Sequence, residues 1–239
     1  MINANKNLKN KMNNKKIVVF SSILILLSFP GFYVNGTLSE RSIAIKLVHT
    51  DLLNSPKNQI KNGDLIFQTS VSKQSKAIQL ATKSKYSHCG IIYQNGKEFY
   101  VFEAIQPVKL TLLKTWINRG KDGKYVIKRL ISSDKVLTSI VISKMKNIGE
   151  RFKGKNYDLT FDWSDDKIYC SELIWKIYKE ATGLEIGKLQ KLKDFDLTNP
   201  LVRTKMRERY GNNIPLNEPV ISPGAIFNSD LLITVKSNE

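Results

Sequence analysis

Two cysteines and two histidines are the whole supply of thiol and imidazole chemistry in these 239 residues. That is too few for a cysteine-rich zinc module or a disulfide scaffold. It is enough for one nucleophile and one base. Cys170 stands in Tyr169-Cys170-Ser171-Glu172-Leu173, where Leu173, Ile174, Ile177 and Tyr178 have helical spacing and Gly183 is a stop signal. The pattern predicts a helix over 169–182 with Cys170 at or near its start. Unpaired N–H groups and the helix dipole there stabilise a thiolate. The plainer alternative is a buried, inert thiol.

His88 lies in a hairpin pattern: Ser87–Tyr93, then Asn95-Gly96, then Glu98–Ala104. A two-residue Asn95-Gly96 turn sets Gln94 opposite Lys97 and therefore His88 opposite Glu103. The two Cβ atoms are then about 5 Å apart on one face. A carboxylate at that distance fixes the imidazole tautomer and stabilises imidazolium, as a catalytic base requires. A structural His–Glu pair on a half-exposed sheet is the alternative, and a bulge would break the register. Cys89 follows His88 in the strand, so its side chain is expected on the opposite face, away from that chemistry. The same geometry argues against a Cys89–Cys170 disulfide.

The elements needed to hold these groups are short and mixed. Gly63–Gln68 and Lys124–Leu130 read as strands, and Ser72–Thr82 and Val136–Phe152 as helices. Residues 153–167 form a loop with Tyr157, Phe161 and Trp163. Residues 184–219 are polar and punctuated by proline, with one helix near Val202–Tyr210, and Ile226–Val235 is a closing strand. A short helix is also expected over Glu40–Leu53. The class is α+β, strands with helices packed on them, with no internal repeat.

Ser87-His88-Cys89-Gly90-Ile91, Phe102-Glu103-Ala104 and Tyr169–Leu173, in that order, resemble the signature of the permuted papain-like amidases of the YaeF/YiiX type, relatives of NlpC-type cell-wall hydrolases. Gly63-Asp64-Leu65, Asn156-Tyr157-Asp158 and Ile221-Ser222-Pro223 match as well, so the resemblance spans about residues 60–230. It implies a permuted papain-like fold with a mostly antiparallel sheet. It also implies Cys170 as nucleophile, His88 as base and Glu103 as third member, forming a thioester with no metal or cofactor. The substrate would be a cell-wall peptide amide, or a lipid acyl group as in other permuted relatives. A non-catalytic lipid- or wall-binding module of the same fold is the competing class. Tyr86, Tyr169 and Trp163 are candidates for lining the cleft.

Residues 1–16 carry five lysines and no acid, and an apolar run from Ile17 to Phe29 ends at Pro30-Gly31. This reads as a secretory signal over 1–36, cleaved or kept as an anchor, ahead of a single domain over 37–239. The protein is thus expected to be exported, in the periplasm or elsewhere outside the cytoplasm. The net charge is +17, of which the signal carries five. For an exported protein, an anionic lipid or wall polymer suits that charge better than nucleic acid, for which no aromatic-basic motif is present.

Overall fold

A computed structural model describes residues 59–239 apart from Lys73. The expected signal over 1–36 and the helix over Glu40–Leu53 lie outside the described residues. Six strands form one antiparallel sheet: β1 (Leu65–Gln68), β2 (His88–Asn95), β3 (Glu98–Glu103), β4 (Lys109–Leu112), β5 (Val126–Leu130) and β6 (Leu232–Ser237). Their order across the sheet is β6-β5-β1-β2-β3-β4, so the two strands bearing His88 and Glu103 lie side by side near one edge. The named helices are α1 (Ser75–Thr82), α2 (Leu113–Asn118), α3 (Ser139–Glu150), α4 (Cys170–Thr182) and α5 (Pro200–Tyr210). Among the described residues no helix is long and apolar enough to cross a membrane.

The period of two along each strand divides the core. Leu65, Phe67, Cys89, Ile91 and Phe102 face one way and are covered by the buried sides of α3 and α4. Ile66, Ile92, Val101 and Ile127 face the other way and pack with Trp116 of α2. Helix α4 is the helix expected over 169–182. Its apolar stripe is fully buried, and Gly183 ends it at φ 78° with its N–H donating to Lys179 O. At its start the Glu172 carboxylate accepts from the Tyr169 N–H (3.4 Å).

Several boundaries differ from the expected ones. Ile226 lies in a short helical turn, Pro223–Phe227, and the closing strand begins only at Leu232. Strand β4 and helix α2 fill a stretch that has no readable periodicity.

The hairpin register also differs, and this bears on the site. Asn95 pairs with Glu98, so the loop is Gly96-Lys97 and not Asn95-Gly96. Gly96, at φ 60°, takes the first loop position, where a type II′ turn wants glycine. The shift amounts to two residues. Pairing extended past Phe102–Ile91 sets Glu103 opposite Gly90, and His88 becomes its diagonal neighbour on the same face. Gly90 makes the diagonal contact possible. A Cβ built there would sit 2.3 Å from Val101 Cγ1 and 2.9 Å from Phe102 O. Gly90→Ala is therefore expected to cost about 1–3 kcal/mol through overpacking, read as a lower urea midpoint; an unchanged midpoint would mean that β3 can yield.

Candidate active site

His88 opens β2 at the end of the sheet where α4 begins. Its Nε2 lies 2.6 Å from Glu103 Oε2, and its ring stacks on Trp116 with centroids 5.7 Å apart and planes at 23°. The Glu103 carboxylate is fully buried. Besides His88 it accepts from Thr111 Oγ1 (2.6 Å) and from Arg119 Nη2, which reaches both oxygens (2.7 and 2.5 Å). Burial alone would raise its pKa. The hydrogen bond and charge of His88, with the hydrogen bonds from Arg119 and Thr111, overcome that and bring it down to about 2.

Cys170 occupies the first position of α4 and is 3% exposed. Its thiol interacts with the His88 ring and with both the thiol and the backbone N–H of Cys89. The acidity of Cys170 follows from these neighbours. The hydrogen bond from the Cys89 thiol is the largest cause holding it well below an ordinary thiol. Burial opposes this, and the bond and charge of His88 and the Cys89 N–H add to it. Burial disfavours a charged His88, yet its bonds to Cys170 and Glu103 outweigh burial and raise it to about 9. Cys89 is pushed the other way, well above an ordinary thiol, by burial and by its neighbour Cys170. These influences make Cys170 more acidic, His88 more basic and Cys89 less acidic, the directions that a thiolate–imidazolium pair requires.

The expectation for Cys89 therefore needs correcting. Its side chain does point opposite to His88. That opposite face is the one covered by α4, so Cys89 lies against Cys170 instead of away from it. The β2–β3 pairing ends at Ile91–Phe102, short of Cys89. Both thiols are free in the structure.

Cys170 and Tyr169 also form part of the wall of an open, mostly apolar cavity. Ala81, Phe161, Leu192, Phe195, Val202 and Met206 make most of the remaining lining apolar, and Lys205 and Arg209 are the charged residues that border it. Of the three cleft candidates, Tyr169 lines this cavity, and its hydroxyl accepts from the Ile221 N–H (3.1 Å). Tyr86 instead packs with Phe67 and Phe227 and donates to Glu239. Trp163 packs edge-on against Trp175, under Lys176. Neither lines the cavity. Sequence reasoning missed Thr111, Trp116 and Arg119, which sit on or beside short elements without a pattern of their own.

Cys89→Ala removes one thiol donor and should raise the pH midpoint of Cys170 alkylation by iodoacetamide by about one unit. Cys89→Ser keeps a donor and should stay near wild type. Equal midpoints in all three proteins would show that the Cys89 thiol does not stabilise the thiolate.

Residues 59–236 match the family model described as "Permuted papain-like amidase enzyme, YaeF/YiiX, C92 family". The chain is 51% identical over 177 residues to YiiX of Escherichia coli strain K12, a protein described as uncharacterized, covering 74% of this chain and 86% of that one. A crystal structure titled as that of metalloprotein yiiX from Escherichia coli O157:H7 superposes with a TM-score of 0.72 at 52% identity, covering 75% of this chain and 98% of that one. Among the described residues here, no group of three or more His, Cys, Asp or Glu side chains could hold a metal ion. With its antiparallel sheet, its helix-borne cysteine and the His–Glu–Cys order along the chain, this protein belongs to the permuted papain-like amidase family of the YaeF/YiiX type.

Proposed function

We propose that this protein is an exported cysteine hydrolase that forms a thioester on Cys170 and seats an apolar acyl group in the cavity beside it. The observation that carries this reading is the placement of Cys170. It touches the His88–Glu103 pair and also forms part of the wall of an apolar cavity.

The Cys170 thiolate attacks the acyl carbonyl, and the imidazolium of His88 gives its proton to the departing amine or alcohol. Water then attacks the thioester. His88, now neutral, takes a proton from that water, and the thiolate leaves. The N–H groups of the first turn of α4, that of Cys170 included, have no acceptor within the helix and suit the developing oxyanion. Both partners must be ionised for the first step. The rate should therefore fall as pH drops through the lowered pKa of Cys170, and again as pH rises through the value near 9 of His88.

The sequence alone puts cell-wall peptide amides first, with lipid acyl groups as the alternative. The lining favours the second, because a polar peptide gains little from aliphatic and aromatic walls. At the border Lys205 is paired with Glu208, and Arg209, bonded only to the neutral Gln74, suits an anionic group on such a substrate. The lysine-rich start and the apolar run after it support export.

The test compares fatty acyl esters and amides of increasing chain length with muropeptides. Each methylene taken into the cavity is worth up to about fourfold in kcat/KM. A covalent acyl adduct should be trapped on the wild type and be lost in Cys170→Ala. Faster turnover of muropeptides, with no dependence on chain length, would return the reading to cell-wall peptides. An adduct that survives in Cys170→Ala would overturn the mechanism.

A further inference from the structure

Helix α2 has six residues, and with the residue that follows it delivers two side chains to the His88–Glu103 pair. Trp116 covers the imidazole, and Arg119, three residues on, grips the carboxylate. Glu103 is fully buried, whereas the Arg119 side chain is 37% exposed. Its guanidinium thus connects a buried charge to the surface. A single nitrogen, Nη2, contacts both carboxylate oxygens, so one positive charge shares the same anion with His88.

We propose that Arg119 is a positioning residue for this triad: it fixes the Glu103 carboxylate and withholds part of its charge from His88, setting the pH at which the imidazole gives up its proton. The proposal rests on the triad reading above and adds the group that tunes it. A carboxylate facing only a histidine would stabilise imidazolium strongly and delay proton release. A second cation on the same carboxylate weakens that hold, because two positive charges then repel across one anion.

The charged and titratable groups around the pair are few. Cys170 faces His88 from α4, Cys89 adjoins it on β2, and Arg119 reaches Glu103 from the end of α2. From β4, Thr111 donates to Glu103 without a charge. Lys109, paired with Glu103 across that strand, is exposed and forms no ion pair with it. From the loop before α4, Tyr157 faces Cys170.

The experiment is an NMR titration of the His88 imidazole in the full chain, in which His49 is the only other histidine. Arg119→Gln should raise the His88 midpoint by at least about half a unit. Arg119→Met, unbranched and uncharged, should do the same. Arg119→Lys should restore the wild-type midpoint, since one nitrogen suffices for the contact. Thr111→Val, which removes a neutral donor from the same carboxylate, should not raise it. An unchanged midpoint in both uncharged variants, or an equal rise in Thr111→Val, would overturn the proposal. The readout needs no substrate. Failure to trap an acyl-enzyme would therefore count against the triad reading alone, and an unmoved midpoint against Arg119 alone.

Discussion

The structure around the site depends on one buried anion. An ionised carboxylate taken out of water costs several kcal/mol unless it is paired and hydrogen-bonded. Glu103 has no exposed surface, so every oxygen must be served from within. His88, Thr111 and Arg119 do so from three different elements. The histidine orientation, the β3–β4 pairing and the seating of α2 are therefore coupled. Loss of any one of them leaves the charge short of a partner. Trp116 closes the remaining side of the imidazole and keeps the His–Glu bond dry, where its electrostatic effect is greatest.

The same constraint applies to Cys170. Cys170 is buried, which by itself would keep it protonated. Its acidity comes from contact with a thiol, a backbone N–H, an imidazolium and the first turn of a helix. Two of those four contacts belong to Cys89. In the strand it is a small apolar residue filling the space under α4, and at its end it is a donor to the neighbouring sulfur. Ile221 ties the far end of the chain to this point. Its N–H donates to Tyr169 and its carbonyl accepts from Ser171, on either side of Cys170. The start of α4 is thereby held between the sheet and the C-terminal segment.

Much of this was legible in the sequence, though in one case through a wrong step. Helix α4 was readable because a long apolar stripe ending in glycine has few other solutions. The His88–Glu103 pair was readable because a strand has a period of two. The assumed turn was off, but a two-residue slip returns every side chain to its face, so the pair survived as diagonal neighbours. A one-residue slip would have lost it. Cys89 was misread because alternation tells which side chains share a face without telling which face the next helix covers. Thr111, Trp116 and Arg119 were out of reach, since β4 and α2 are four and six residues long and their role arises only when the sheet brings them beside β3. The apolar cavity joins α1, the loop before α4, α4 and α5, a long-range assembly that periodicity does not express.

The central claim is that Cys170 is a thiolate paired with a protonated His88 at neutral pH. The most direct measurement is the ultraviolet absorbance of thiolate as a function of pH, taken as the difference between wild type and Cys170→Ala. The account predicts a thiolate signal from Cys170 already present at neutral pH and lost only well on the acid side. A signal that emerges only as pH is raised through the range of an ordinary thiol would contradict it.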